Sequence, residues 1–272
     1  MRYISSRILS VGLLAVAATC WAQTSATQPA TQPADAVAVE KPVDPAVIEL
    51  LDRIEKKSGA IKTLQARLVF DRIQGLLGDT QRRLGSLVYV AGPPAKFSAH
   101  FDELRVDGRS EKKNRWYIFD GTWLVEKLAD TNPKQFLKRQ IVPPDAKPEQ
   151  ANPLALGGGP FVLPINMNRK LVLERFRVTL PAEDKAKDPA HTVHLLLKPL
   201  ADPRSEVTAI DLWYDRESLL PVKVRTFAQD SENESIILLK DHKLNAELDA
   251  QTIDTSEPKE TGWEVSVTPW KK

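Results

Sequence analysis

The sequence predicts a mainly β protein in which about eleven antiparallel strands follow one N-terminal helix. From Leu64 onward, apolar and polar residues alternate with a period of two, and clusters of Gly, Pro, Asp and Asn separate the alternating runs. An antiparallel sheet of this size must curl into a barrel or split into a sandwich. The chain has 272 residues, of which 42% are hydrophobic, and this is enough for a core within a single domain.

The predicted helix lies directly before the first strand. Asp44 can cap it, and Pro45 suits the first helical position because its missing N–H would have no partner there. Gly59 is a typical end. The apolar stripe at helical spacing comprises Val47, Ile48, Leu51 and Ile54.

A hairpin is predicted around Asp120–Gly121, because this dipeptide favours a type I′ turn between two strands rich in β-forming residues. In that register Phe119 would face Thr122, and Arg115 would face Glu126. Trp116, Ile118, Trp123 and Val125 then share one face, and Tyr117, Phe119 and Leu124 share the other. Both faces are apolar, so we expect both to be covered, by protein or by a bound ligand.

Residues 143–169 interrupt the strand pattern with an apolar segment that is rich in Gly and Pro. We expect the apolar side chains of this segment to be buried; they are Leu154, Leu156, Phe161, Leu163 and Ile165. Long irregular segments within a domain are typically functional. The segment is therefore either a mobile lid or a static plug over one end of the sheet.

The N-terminus predicts export. Residues 1–22 have two early arginines, an apolar run too short to span a membrane, and a small-x-Ala cleavage site ending at Ala22. Residues 23–43 form a disordered tether rich in Pro, Thr, Gln and Ala, and the folded domain spans residues 44–272. Alternatively, Cys20 is lipidated and the tether links the domain to a membrane.

Composition excludes several functions. Cleavage after residue 22 leaves 36 basic and 36 acidic residues, and this neutral balance argues against nucleic-acid binding. The cleaved chain also has no cysteine, so it can form no disulfide.

His191 and His194 would point to opposite faces of a strand, so we expect surface histidines and no metal site. Gly157–Gly159 lacks the Lys-Ser/Thr of a phosphate loop. No catalytic constellation is present, and we expect neither an enzyme nor a cofactor.

Several motifs follow one another in a familiar order. They are Leu64-Gln65-Ala66-Arg67-Leu68, Gly85-Ser86-Leu87-Val88-Tyr89-Val90, Asp120-Gly121-Thr122-Trp123, an Asn-Pro-Leu…Gly-Pro-Phe insertion, and Ile210-Asp211-Leu212-Trp213-Tyr214-Asp215. Across about residues 44–268 the chain resembles the periplasmic outer-membrane lipoprotein carriers, the LolA-like family. The turn Gly92-Pro93-Pro94 departs from the family because it lacks the arginine that holds the lid shut.

The resemblance implies an incomplete antiparallel β-barrel with a helical or irregular lid and an apolar cavity for acyl chains of lipoproteins or other lipids. It also implies a monomer in the periplasm, with an inner-membrane release complex and an outer-membrane acceptor as partners. A lipidated receptor or an envelope-stress sensor of the same fold is the alternative. The expected cavity residues are Leu68, Phe70, Val88, Phe97, Phe101, Trp116, Ile118 and Trp123.

Overall fold

A single open sheet of twelve strands organises the chain in a computed structural model that describes residues 42–75, 78–146, 162–200, 207–229 and 232–270. The strands are β1 (Thr63–Gln74), β2 (Asp79–Val90), β3 (Lys96–Val106), β4 (Arg109–Phe119), β5 (Trp123–Leu128), β6 (Lys134–Gln140), β7 (Phe176–Thr179), β8 (Thr192–Pro199), β9 (Val207–Asp215), β10 (Pro221–Ala228), β11 (Asn233–Leu244) and β12 (Trp263–Thr268). The helices are α1 (Pro45–Ser58) and α2 (Arg169–Arg175), and Ala250–Ile253 form a 3₁₀ turn. The predicted signal peptide with Cys20, most of the tether, and the lid residues Leu154, Leu156 and Phe161 lie outside the described residues.

The order of strands across the sheet is β12-β6-β5-β4-β3-β2-β1-β11-β10-β9-β8-β7. All neighbouring pairs are antiparallel except β12 and β6, which run parallel. Since β12 and β7 are the two edges and do not pair with each other, the barrel is incomplete. This confirms the predicted fold class. No helix in the described part of the chain is long and apolar enough to cross a membrane.

One face of the sheet packs against α1 and α2, and we call it the inner face. Asp44 caps α1 through a bond from the Ala46 backbone N–H to its Oδ1, 2.8 Å long. The buried stripe of α1 consists of Val47, Leu50, Leu51 and Ile54, which contact the apolar side chains of the inner face. Leu50 is buried and Ile48 is only half-buried, so the buried stripe contains Leu50 and not the predicted Ile48.

The C-terminal segment crosses the opposite face, which we call the outer face. There Ile253 and Trp263 pack against a cluster of Ile118, Val125 and Phe136. The Thr255 hydroxyl donates to Asp120 Oδ2 at 2.7 Å, after which the chain adds β12 to the edge of the sheet. Both faces of the central hairpin are therefore covered by protein, as its two apolar faces predict.

The predicted register of the central hairpin is wrong by two residues. Phe119 pairs with Leu124 and Ile118 with Val125, so the loop has four residues instead of two. The cause is the Asp120 side chain, whose Oδ1 accepts bonds from the N–H groups of Thr122 and Trp123, at 2.9 and 2.8 Å. A shift of two residues leaves the assignment of side chains to faces intact.

The predicted pair of Arg115 and Glu126 is consequently absent. Arg115 instead binds Asp130, with Nη2 and Oδ2 3.1 Å apart, and Glu126 binds Arg139 at 2.8 Å. The type I′ pattern occurs at the other Asp-Gly dipeptide. Asp107 and Gly108 both have positive φ, 51° and 74°, and they join the paired residues at the ends of β3 and β4.

Candidate functional site

The residues predicted to line a cavity fall on the two faces of the sheet. Leu68, Phe70, Phe97 and Phe101 belong to the cluster on the inner face. Val88, Trp116, Ile118 and Trp123 lie on the outer face, because they alternate with inner-face neighbours such as Leu87, Tyr117 and Leu124. The sheet separates the two sets, so they do not line one common cavity.

The outer-face set packs against protein or charged side chains. The Trp116 ring stacks on His100 with centroids 4.4 Å apart. Lys138 Nζ lies 5.2 Å from the Trp123 ring, a cation–π contact. Ile118 is buried in the cluster that Ile253 covers. The inner face is therefore the candidate apolar binding surface.

The inner face is a continuous apolar surface with an aromatic centre. Leu68, Phe97 and Phe101 are each 2% exposed or less. The Phe101 ring lies 6.1 Å from Phe70 and 6.3 Å from Tyr117, and Phe97 lies 6.1 Å from Phe119. These distances are typical of packed aromatic pairs. In this conformation protein side chains cover most of the surface, and Phe70 and Tyr117 stay half-buried.

The described end of the predicted lid covers this surface. Residues 162–168 belong to no helix or strand, yet Val162, Leu163, Ile165 and Met167 are all buried in the same cluster as Phe97 and Phe101. The two lid residues that are described, Leu163 and Ile165, are each 2% exposed. The segment thus lies on the inner face through its side chains and not as part of the sheet.

Two tyrosines of the sheet bind the backbone and side chains of this segment. The Tyr214 hydroxyl donates to the Pro164 carbonyl oxygen at 3.2 Å, and Tyr89 hydrogen-bonds the Asn166 side chain. Burial raises the pKa of both phenols, and for Tyr89 the bond to Asn166 partly opposes this rise. Both hydroxyls therefore stay protonated and available as donors.

A polar contact between α1 and the start of α2 completes the closure. Glu55 accepts bonds from Asn168 Nδ2 at 2.8 Å and from the Arg169 backbone N–H at 3.1 Å. Asp52 Oδ2 lies 2.7 Å from Arg169 Nη1. This contact was not predicted from the sequence. Its only signal is a pair of acidic residues three apart beside the apolar stripe of α1.

Two arginines share one aspartate at the rim of the inner face. Asp130 Oδ2 lies 3.1 Å from Arg115 Nη2 and 3.5 Å from Arg83 Nη1. Arg83 pairs with Phe70 on one side and with Leu104 on the other, and Arg115 pairs with Phe101. Beyond Leu104 lies a cleft of about 390 Å³, lined by Leu104, Val106, Asp107, Arg109 and Glu111.

His194 is half-buried, contrary to the surface position that we predicted for it, whereas His191 is exposed as predicted. Its side chain is 15% exposed, and its ring stacks on Trp213 with centroids 4.4 Å apart. Nε2 lies 2.7 Å from Asp211 Oδ1, and the Trp213 indole N–H donates to Asp188 at 2.7 Å. A strand pattern alone could not show that residues 183–190 fold over this outer-face histidine. Across the described ranges, no three His, Cys, Asp or Glu side chains could hold a metal ion.

No family model and no curated protein matches the chain. Among solved structures, the chain is similar to an uncharacterized conserved protein from Thermus thermophilus, with 13% identity, 81% of this chain and 99% of that chain covered, and a TM-score of 0.46. It is also similar to a domain from Vibrio parahaemolyticus that is provisionally named as outer membrane lipoprotein-sorting, with 12% identity, 76% and 95% covered, and a TM-score of 0.39. A third is a LolA superfamily protein from Nitrosomonas europaea, with 10% identity, 75% and 97% covered, and a TM-score of 0.31.

Proposed function

We propose that this protein is a non-enzymatic carrier that holds an acyl chain of a lipoprotein or another lipid on the inner face of the sheet. The observation that carries the proposal is the position of Val162, Leu163, Ile165 and Met167. They bury apolar side chains against Phe97 and Phe101 from a segment that does not pair with the sheet. An acyl chain can take their place without breaking any strand pairing.

The free energies of the two occupants are comparable. Four buried apolar side chains contribute about 6–12 kcal/mol, at about 1.5–3 kcal/mol each. A chain of about fifteen methylenes contributes about 12 kcal/mol, at about 0.8 kcal/mol each. Exchange of the segment for a long chain is therefore close to balanced, and this is what a carrier needs to both load and release its cargo.

The polar contacts of the segment fit the same role. Exposed ion pairs such as Arg169–Asp52 contribute at most about 1 kcal/mol, so they define the closed position without making it permanent. We propose that residues 162–175 are the lid, and that α1 is the fixed element against which the lid closes.

The proposed compartment is the periplasm. The signal-like residues 1–22, the neutral mature charge and the resemblance to periplasmic carriers support it. The proposed partners are the acyl chains of lipoproteins, an inner-membrane donor and an outer-membrane acceptor. If Cys20 is lipidated, the same domain is a tethered receptor, and the intact mass of the protein from the membrane fraction distinguishes the two forms.

Titration with saturated fatty acids tests the proposal. Native mass spectrometry of the delipidated protein should show bound decanoate, tetradecanoate and octadecanoate, with affinity rising with chain length until the inner face is full. Acetate is the matched control because it carries the carboxylate without the chain. A folded protein that binds none of the long chains would refute the carrier function.

A further inference from the structure

We infer that Arg83 and Arg115 form a site for the anionic end, a carboxylate or a phosphate, of an amphiphile whose chain lies on the inner face. The inference rests on the proposed function, and it adds the chemical class of the cargo. A carrier of neutral lipids needs no such site.

The position of the two arginines supports this assignment. Arg83 is the strand partner of Phe70, and Arg115 is the strand partner of Phe101, while Phe70 and Phe101 contact each other at 6.1 Å. Strand partners have Cβ atoms about 5 Å apart. A chain that lies along the two phenylalanine rings therefore ends within reach of both guanidinium groups.

The charges of this cluster do not balance. Asp130 is the one carboxylate that acts on either arginine among the described residues, so two cations share one anion. The side chains of Arg83 and Asp130 are 13% and 6% exposed, so solvent screens this excess of positive charge weakly. One further anion would neutralise the cluster.

The hydrogen bonds are incomplete as well. Arg115 binds Asp130 and the Tyr117 hydroxyl, but its Nε–H is buried and has no acceptor in the described part of the chain. Within the described ranges Arg83 makes a single side-chain bond, which is long at 3.5 Å. A buried donor without a partner is costly, and charge-assisted bonds to a carboxylate or phosphate are among the strongest in proteins.

The pKa of Arg83 agrees with this geometry. Burial lowers the pKa of Arg83, and the positive charge of Arg115 lowers it further. A guanidinium nevertheless stays charged in proteins, so the cluster remains cationic at neutral pH. Burial also acts against the charge of Arg115, but Tyr117 and Asp130 raise its pKa, so Arg83 is the side chain that an added anion would stabilise more.

The cleft beyond Leu104 gives the site an opening. Leu104 pairs with Arg83 and also lines the cleft of about 390 Å³. The rest of its lining consists of Val106, Arg109 and the two carboxylates of Asp107 and Glu111. A head group that enters past Leu104 would come to lie beside its strand partner Arg83, with the chain directed toward Phe101.

The test compares two ligands with the same chain. Hexadecanoate and hexadecanol are titrated into the wild type, Arg83→Gln and Arg115→Gln. The wild type should prefer the acid about ten- to hundredfold, as expected for hydrogen bonds to a charged group. Each variant should lose most of that preference while it still binds the alcohol. Arg105→Gln is the matched control, because Arg105 lies on the outer side of the same region and is half exposed.

The outcomes separate the two proposals. If neither ligand binds the folded wild type, the carrier function fails. If both bind equally and the variants match the wild type, the carrier function stands and the anion site is refuted. If Arg83→Gln does not fold, Arg83→Lys is used, which keeps the charge but loses the forked donor geometry, and an acid preference that is unchanged in both Arg83→Lys and Arg115→Gln refutes the site. Inorganic phosphate at the ligand concentration should not displace hexadecanoate; displacement would mean that the cluster binds free anions and not a lipid end.

Discussion

The hydroxyl of Tyr214, a fully buried residue of β9, donates a hydrogen bond of 3.2 Å to the carbonyl oxygen of Pro164. This bond connects the sheet to a segment that belongs to no strand. Tyr214→Phe should leave the carbonyl oxygen without its partner, and the free energy of unfolding should fall by about 1–3 kcal/mol. Amide exchange should quicken around Ile165, which has the adjacent buried side chain.

Thr208→Val is the control for Tyr214→Phe. It removes an exposed hydroxyl on the same strand, whose bond to the Phe227 carbonyl oxygen is 3.4 Å long. We expect no change around residue 165 in this variant. Equal exchange in wild type and Tyr214→Phe would show that the hydroxyl does not hold the segment.

The turn at Gly121 is expected to tolerate no side chain. Gly121 has a φ of 106°, and a Cβ there would overlap the Pro94 ring. Gly121→Ala should therefore lose stability both from the strained φ and from the clash, by about 2–4 kcal/mol. Gly262→Ala, with a φ of 89° and open space around its Cβ position, should lose about 1 kcal/mol from φ alone. Urea denaturation measures both, and equal losses would contradict the clash.

The cover of the outer face should depend on Ile253. It packs against Ile118, Val125 and Phe136, so Ile253→Ala should lower the free energy of unfolding by about 1–3 kcal/mol. Val265→Ala is the control, because Val265 is 42% exposed on β12. Thermal unfolding measures both variants. An equal shift of the melting temperature in the two would mean that the C-terminal segment does not protect this cluster.

The turn between β9 and β10 should be sensitive to acid. Hydrogen bonds from the backbone N–H and the hydroxyl of Ser218 hold the pKa of Asp215 below its ordinary value of 3.8. A lowered pKa stabilises the folded state above the unfolded pKa, and this contribution disappears as the pH falls through the folded pKa. Asp215→Asn should thus be less stable than wild type at neutral pH, and the two should converge in acid. A stability difference that is the same at every pH would contradict this origin.

The sequence predicted the fold class and the amphipathic helix because both follow from local periodicity. It could not choose between the two Asp-Gly dipeptides. Asp107–Gly108 has the two positive φ values of a type I′ turn, whereas the Asp120 side chain caps a longer loop. In the folded protein Pro94 lies beside Gly121 and Thr255 bonds to Asp120, and both contacts come from residues that are distant in the sequence.

The site was predictable in part for the same reason. Alternation placed each aromatic residue on a face, but no local pattern tells which face a distant segment covers. In the sequence, Trp116 and Trp123 are therefore equivalent to Phe97, although the C-terminal residues cross the outer face and not the inner one. Strand β12 was missed because its residues are mostly exposed and its pairing with β6 is parallel.

Photo-crosslinking tests the central claim most directly. A hexadecanoate with a diazirine at its terminal carbon is bound, illuminated and located by peptide mass spectrometry. We predict labels on the inner face, at Leu68 or Phe97, and on the lid at Leu163 or Ile165. Unlabelled hexadecanoate should suppress them. Suppressible labels confined to the outer face, at Val88, Trp116 or Trp123, would contradict the account.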